Sequence, residues 1–286
     1  MRPLFTLFKH TFQAWSNDYA ASMGAALAFY TLFSIAPLLL IVLSITGFVF
    51  GVEAARGEIA GQLENLLGEQ GALAVQSLLK NVNKPKEGML ASIIGLVLLL
   101  VGATTVFAEL QTSLDRIWQA PERAKINGFY ALIRERVLSF GLILGIGFIL
   151  MVSLLFSAAL SAMNHWWSPR FMQWETMLNF INIGFSFLMT TAMFALIYKL
   201  MPSVKIRWNE VWIGAVMTAI LFTAGKYLIG LYIGRSAITS GFGVAGSLVA
   251  LLVWVYYSAQ IFLLGAEFTW AYSNIYGSRK TVAIKA

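Results

Sequence analysis

A long apolar stretch near the carboxyl end constrains this chain more than any other feature. Residues 244–266 are mostly apolar or small and carry no formal charge. At ~1.5 Å per helical residue, such a helix spans the ~30 Å hydrocarbon core of a bilayer. Tyr256 and Gln260 form a polar line along it at positions i and i+4, and Glu267 follows it. The stretch is predicted to be a membrane-spanning helix that ends near a carboxylate.

The composition places the whole chain in a bilayer. Its 286 residues are 59% hydrophobic and only 12% charged, whereas soluble domains average about 25% charged residues. The mean hydropathy is +0.75. Cysteine is absent, which excludes a disulfide framework and thiolate chemistry.

Five further apolar segments are long enough to cross a membrane as helices. With the first stretch they predict one all-α domain over 1–286, a polytopic membrane bundle of six transmembrane helices. Gly230 and Gly234 are spaced for close packing of the fifth span. The predicted spans are about 24–50, 89–108, 137–163, 177–201, 211–233 and 244–266.

Two segments outside these spans show apolar residues at helical spacing and are predicted to be amphipathic surface helices. In residues 3–16 one face carries Leu4, Leu7, Phe8, Phe12 and Trp15. The loop 51–88 repeats leucines between glutamates and is predicted to lie at the outer surface.

The distribution of lysine and arginine predicts the orientation. The amino end, the 109–136 loop, the 199–210 loop and the tail together hold 13 of these residues, and the opposite loops hold 6. Because cytoplasmic loops carry the basic excess, both termini are predicted to be cytoplasmic. The net charge of +7 is thereby explained as a topology signal, and no nucleic-acid partner is predicted.

This orientation predicts the result of cysteine labelling. Because the native chain has no cysteine, single cysteines at Ser77 and Ser278 are expected to react with impermeant reagents from opposite sides of the membrane. Labelling of both positions from one side would contradict the six-span topology.

Several segments carry a more specific pattern. They are ALAFYTLFSIAPLLLIV at 26–42, LDRIWQAPERAKINGFYALIRERVLSF at 114–140, GKYLIGLYI at 225–233 and FGVAGSLVALLVWVYYSAQIFLLGAEFT at 242–269. In this order they resemble the YihY/BrkB family of bacterial inner-membrane proteins. Lys226 and the segment 265–267 match recurrent positions of that family.

The resemblance implies a multi-pass protein of the bacterial inner membrane. Family members are linked to serum resistance and to export of lipids or lipid-like molecules. An older label, ribonuclease BN, is regarded as a misassignment, and the residues agree with rejecting it. Metal-dependent RNA hydrolysis needs clustered ligands, whereas His10 and His165 are the only histidines. No metal site, cofactor or catalytic constellation is predicted.

Charged residues near the cytoplasmic face are the first candidates for a site. Glu267 follows span six and Glu109 follows span two, while Arg134 and Arg136 precede span three and Arg116 lies between them. Because a carboxylate near hydrocarbon is costly unless paired, these residues are expected to cluster. The cluster is either a structural clasp or a gate in transport.

Other candidates lie deeper in the bilayer. Lys226 falls in the outer half of span five, where it either snorkels to the interface or attracts an anionic head group. Direct pairing of Lys226 with Glu267 would need a tilted or broken helix. Tyr256 and Gln260 either bond between helices or line a substrate pathway.

Two functions follow as hypotheses. The first is a transporter or flippase-like exporter of a lipid or another amphipathic anion, which predicts a polar cavity. The second is a membrane scaffold or envelope-integrity protein that binds partners through loop 51–88, which predicts a closed bundle. A membrane enzyme ranks third for lack of a catalytic constellation. Membrane lipids are the expected partners, and the oligomeric state is not determined by the sequence.

Overall fold

The computed structural model describes residues 2–34, 105–121, 174–235 and 246–280, with single helical positions between 145 and 156. All regular secondary structure in these residues is helical, which confirms the predicted all-α class. In chain order the helices are α1 (Arg2–Asn17), α2 (Ala20–Ser34), α3 (105–117), α4 (Trp174–Leu200), α5 (Trp208–Arg235) and α6 (Gly246–Ile275).

Three of these helices are long and apolar enough to cross a membrane. Their apolar parts are Phe180–Leu200, Trp208–Tyr232 and Leu248–Ile275, in the regions predicted for spans four, five and six. Most of the predicted spans one to three and the whole of loop 51–88 lie outside the described residues. The six-span count therefore stays a prediction.

The three long helices pack in sequence, α4 on α5 and α5 on α6. Residues later in α5 contact residues earlier in α6. Gly214 faces Thr269, whereas Gly225 faces Tyr257 and Ile261. The two helices are therefore antiparallel. Half of the most apolar part of α6 is buried inside the described bundle, more than for α4 or α5, which makes α6 the central helix.

Glycine and threonine form a reciprocal contact between α5 and α6. The Thr218 hydroxyl donates to the Gly214 carbonyl, and the Thr269 hydroxyl donates to the Gly265 carbonyl, both at 2.7 Å. Each glycine lies directly against the threonine of the other helix. Close approach of backbones at small residues drives helix association in membranes, so this contact sets the distance between the two helices.

The predicted packing role of Gly230 is not seen among the described neighbours and stays a prediction for the rest of the chain. A Cβ atom built on Gly230 meets nothing within 4 Å among them. The spacing of Gly230 and Gly234 is that of a packing motif, but Gly214 and Gly225 lie on the face that meets α6. A glycine pair in a sequence does not by itself show which face of a helix packs.

The main apolar core of the described residues joins α2, the end of α3 and the three long helices. Its largest fully buried side chains include Trp118 and Tyr198. The Tyr198 hydroxyl donates to the Phe262 carbonyl at 2.7 Å and lies 2.9 Å from the Thr218 hydroxyl. A buried phenol needs such partners, so Tyr198 links α4 to both α5 and α6.

Four segments meet at one end of the bundle. The Asp115 carboxylate at the end of α3 accepts bonds from the amide and hydroxyl of Ser203, both at 2.6 Å. The Arg279 guanidinium donates to the Trp118 carbonyl at 3.1 Å and lies over its ring at 5.0 Å. The α3 end, the α4–α5 loop and the C-terminal turn thus lie together, with the α1–α2 turn beside them.

Helix α1 packs along the second half of α6 with one face and leaves the other exposed. Leu7, Thr11 and Ala14 are buried, and Leu7 packs with Phe268 and Ala271. Phe5 and Phe12 are 73% and 57% exposed. The sequence placed Leu7 and Phe12 on one apolar face, but the structure divides them between a face on α6 and a free apolar face, as expected for a helix at a membrane surface.

The exposed face of α1 predicts a contact with lipid. A spin label at Phe12 is expected to be more accessible to dissolved oxygen, which concentrates in lipid, than to a water-soluble paramagnetic reagent. A label at the exposed Lys280 in the C-terminal turn is the control and is expected to show the opposite preference. Full water exposure at Phe12 would contradict the surface-helix assignment.

Candidate functional site

The candidate site is the junction where the α1–α2 turn, α3 and α6 meet. We call it the carboxyl junction and define it by Asp18, Tyr19, Arg116, Gln260 and Glu267. Its centre is Glu267, which is fully buried on α6. Neither carboxyl oxygen of Glu267 has a hydrogen-bond partner among the described residues. A buried, unpartnered carboxyl is costly in an apolar medium, so this group needs an explanation.

Asp18 supplies a second carboxyl group to the junction from the turn between α1 and α2. Burial raises the pKa of the Asp18 carboxyl above its usual value, while the nearby Glu267 carboxyl and the Arg116 guanidinium oppose the rise. Two acidic groups separated by most of the chain therefore share one site, with one arginine at its edge.

The turn that presents Asp18 is conformationally unusual. Tyr19 has a φ of 57°, a left-handed conformation that is rare for a bulky residue. The Asp18 amide donates to the Ala14 carbonyl at 2.9 Å and ends α1, and the amide of Met23 donates to the Tyr19 carbonyl at 3.1 Å and starts α2. The Arg116 guanidinium lies 5.5 Å from the centre of the exposed Tyr19 ring, which holds α3 against the turn.

Gln260 lies two helical turns before Glu267 on the same face of α6. Its amide nitrogen lies 3.4 Å from the carbonyl oxygens of Ala20 and Ala21, and Gly24 leaves the space for it. The Gln260 amide oxygen is buried and has no partner among the described residues. Gln260 therefore fastens α6 to the first turn of α2 while keeping one acceptor unused.

Glu109 and Tyr256, two of the other predicted residues, lie outside the set that defines the junction. Glu109 is half-buried on α3, two turns before Arg116. Tyr256 is 37% exposed on α6. Arg134 and Arg136 lie outside the described residues, so their predicted place in the cluster stays a prediction.

Lys226 lies at a different level of the bundle from Glu267. Its neighbour Gly225 faces Tyr257, which precedes Glu267 by ten residues, or ~15 Å along a helix. The Lys226 ammonium lies 5.4 Å from the centre of the Tyr227 ring, and Tyr227 is 65% exposed. Lys226 thus lies beside an outward aromatic surface and not beside the buried carboxyls.

Sequence reasoning missed Asp18 and Tyr19. The signal that was available is the position of Asp18, an acidic residue in the short connection between an amphipathic helix and the first apolar helix. A carboxylate there is more often a solvated cap, so its burial follows only from the packing of α1 on α6. Glu210, also missed, is buried at the start of α5 and accepts bonds from Ser273 and Ser278.

The chain matches a model of a known protein family. The family model described as virulence factor BrkB matches residues 11–285. The chain belongs to the BrkB family. The match includes all five residues of the carboxyl junction and confirms the resemblance found from the sequence segments.

Curated relatives of this BrkB family member are named UPF0761 membrane proteins. The protein from Kangiella koreensis is 24% identical over 268 residues, which are 92% of this chain and 62% of the relative. That from Pseudomonas aeruginosa is 27% identical over 256 residues, 87% of this chain and 58% of the relative. That from Vibrio parahaemolyticus is 28% identical over 271 residues, 92% of this chain and 80% of the relative.

The BrkB family chain spans about three fifths of the length of the first two of these relatives. No solved structure matches it. Together with the apolar helices, the relatives establish a membrane protein, and their names state no reaction or substrate.

Proposed function

We propose that this protein moves a lipid or another amphipathic anion across the membrane, as a transporter or flippase-like exporter. One observation carries the proposal. Three buried oxygen atoms on one face of the central helix, one of Gln260 and two of Glu267, have no hydrogen-bond partner among the described residues. Ionisable and polar groups inside a membrane bundle typically mark a substrate or ion pathway.

On the three long helices, the other buried polar groups have hydrogen-bond partners, whereas Ser113 Oγ and Trp118 Nε1 near the end of α3 have none among the described residues. Thr218, Thr269 and Tyr198 all have hydrogen-bond partners, and the buried carboxylate of Glu210 accepts two bonds. Because buried polar groups are normally bonded, the unsatisfied oxygens of Gln260 and Glu267 are exceptions within their own helix. The described side chains leave these three oxygens without a hydrogen bond, which favours a site that a ligand or proton completes.

The Lys226 ammonium lies where it could contact an anionic lipid head group. Lys226 lies beside Tyr227, and the exposed apolar side chains around it include Leu228 and Leu231. A lysine with a long apolar stem next to lipid-facing side chains can reach a phosphate at the interface. We infer further that the protein lies in the bacterial inner membrane with both termini cytoplasmic, which agrees with the meeting of the α4–α5 loop and the C-terminal turn at one end.

The alternative is a scaffold that binds partners through loop 51–88. That loop lies outside the described residues, so this function also stays a prediction. The two functions differ in a direct assay, because a scaffold moves no lipid.

The test is lipid movement in proteoliposomes that contain the full chain and fluorescent phosphatidylglycerol. Reduction of the fluorophore by an impermeant reagent is expected to reach inner-leaflet lipid faster with the protein than in empty vesicles. Gln260→Leu is expected to slow this movement about tenfold, the effect of losing one hydrogen bond of ~1.4 kcal/mol, because it removes the unused acceptor together with the amide that contacts Ala20 and Ala21. Leu252→Ala, a change at a partly exposed position of the same helix, is the matched control and is expected to keep the wild-type rate.

Two outcomes would overturn the proposal. One is a rate with the wild-type protein equal to that of empty vesicles, and the other is an equal rate for the wild-type and Gln260→Leu proteins. Circular dichroism and gel filtration of each variant establish that a lost rate does not come from a lost fold.

A further inference from the structure

The pairing of Asp18 with Glu267 has a chemical consequence that does not depend on transport. Glu267 is 0% exposed, and its oxygens accept no hydrogen bond from the described residues. Contacts on both sides bring Asp18 to Glu267, because Gln260 meets the carbonyls of Ala20 and Ala21 and Leu7 packs with Phe268 and Ala271. The two carboxyl groups interact there. Two neighbouring carboxylates in a poorly solvated site cannot both stay ionised, as in carboxylate dyads that share a proton.

The surroundings decide which of the two carries the proton. Asp18 is only partly buried and interacts with the Arg116 guanidinium, so its charge has a counter-ion. Glu267 is the more deeply buried of the two, and leaving an uncompensated charge buried is strongly unfavourable. Glu267 therefore holds the proton as a neutral acid beside the Asp18 carboxylate.

We propose that Asp18 and Glu267 together form a proton-binding site that fastens the α1–α2 turn to α6. In the docked state the pair binds one proton. When that proton leaves, both groups are anionic and repel each other across the contact. The turn then loses its attachment to α6, so docking of the N-terminal helices becomes linked to proton binding.

The other charged groups named here are bonded elsewhere, exposed or distant, so they do not take the proton from the pair. From α3, Arg116 interacts with Asp18. From α5, Glu210 is engaged by Ser273 and Ser278, and Lys226 lies ~15 Å away along the helix. From α1, His10 is exposed, and from the C-terminal turn Arg279 binds the Trp118 carbonyl.

The α1–α2 turn is the segment that would move when the proton is released. Tyr19 keeps a left-handed backbone, which costs energy for a non-glycine residue and persists only where surrounding contacts hold it. Those contacts are the Arg116 guanidinium over the Tyr19 ring and the Gln260 amide at the carbonyls of Ala20 and Ala21. A turn held in this way is suited to release when one contact is lost.

The direction of the pH effect follows from linkage. A folded state that binds more protons than the unfolded state loses stability as pH rises. In the folded protein the pair binds one proton in common, whereas in the unfolded chain both carboxyl groups are solvated and lose their protons at lower pH. The stabilising contribution of the pair is therefore present at acidic pH and is lost as pH rises and the pair releases its proton.

The experiment is thermal unfolding of the full chain in lipid nanodiscs across a pH series at constant sodium concentration. A second series varies the sodium concentration at constant pH, to test whether the two carboxyl groups bind a sodium ion in place of a proton. The melting temperature of the wild type is expected to fall towards alkaline pH. Glu267→Gln, which keeps the shape of the neutral acid but has no proton to lose, is expected to abolish most of this fall. Glu210→Gln is the matched control, because it changes a buried carboxylate whose oxygens are already bonded, and its melting temperature is expected to keep the wild-type slope.

A Glu267→Gln protein with the wild-type pH dependence would overturn the proposal, as would a wild-type transition that moves with sodium and not with pH. If Glu267→Gln does not fold, infrared spectroscopy of the wild type decides. A carbonyl band of a protonated carboxylic acid that shifts in heavy water and disappears at alkaline pH is expected, and its absence would contradict a bound proton. Neither measurement requires lipid movement, so failure of the proton site and failure of the transport proposal are distinguishable.

Discussion

Gly265→Leu is expected to prevent α5 and α6 from packing and to leave little folded protein after detergent extraction. Even a single Cβ atom at this position would clash with the Thr218 hydroxyl and lie 2.6 Å from the Tyr198 hydroxyl. Neither group moves freely, because Thr218 bonds the Gly214 carbonyl and Tyr198 bonds the Phe262 carbonyl. The expected loss is ~3 kcal/mol, the upper end of the cost of overpacking.

The chain offers a matched control on α5. Gly230→Leu changes a glycine of a similar apolar helix, but a Cβ atom at Gly230 meets no described neighbour within 4 Å. Removing a glycine from a helix interior is favourable by about 0.5–1 kcal/mol, so this variant is expected to be at least as stable as the wild type. Thermal unfolding in one detergent compares the two. Equal stability of Gly265→Leu and Gly230→Leu would show that the reciprocal glycine–threonine contact does not set the helix distance.

The glycine contact shows what the sequence could and could not predict. Long, mostly apolar runs were enough to predict helices at 177–201, 211–233 and 244–266, because a helix in lipid must bond its own backbone. The same runs are apolar all round and so carry no signal of which face packs. For this reason Gly230 was predicted to pack, whereas Gly214 and Gly265 do so in the structure.

The last helix illustrates a second limit. The apolar run ends at Ala266, but α6 continues to Ile275 and buries Glu267 inside it. A charge at the end of an apolar run usually marks the membrane surface. Here the α1–α2 turn lies against this carboxyl group, and a contact between Asp18 and Glu267 has no periodic signal in the sequence.

Topology reasoning named two residues of the site but not the partner between them. It predicted Glu267, Arg116, Arg134 and Arg136 near one face of the membrane. In the structure Arg116 interacts with Asp18, which sequence reasoning did not consider. Counting charges on each side of a membrane predicts depth, whereas lateral neighbours follow from helix packing.

Trp118→Ala is expected to cost ~3–5 kcal/mol, the range for removing a large buried aromatic side chain. Trp118 is 1% exposed at the end of α3 and packs in the core with Ile117, Leu114 and residues of the long helices. It also connects α3 to the C-terminal turn, because Arg279 lies over its ring. Removal of the ring therefore leaves a cavity and takes away the surface on which Arg279 rests.

The two contributions can be separated with two further variants. Arg279→Ala removes the contact over the ring and the bond to the Trp118 carbonyl but leaves the ring buried, so it is expected to cost ~1 kcal/mol, like other partly solvated hydrogen bonds. Trp118→Phe keeps most of the buried area, so its loss of stability is expected to lie between those of Arg279→Ala and Trp118→Ala.

Loss of the Trp118 ring is also expected to loosen α3 from the carboxyl junction. Arg279 is attached to α6 by the C-terminal turn and rests on this ring, and Arg116 lies two residues before Trp118. Trp118→Ala should then move the fall in melting temperature to higher pH, because Asp18 loses its cation and the pair holds its proton more tightly, whereas Arg279→Ala should leave the pH dependence unchanged. An unaltered pH dependence in Trp118→Ala would show that α3 does not position Arg116 at the junction.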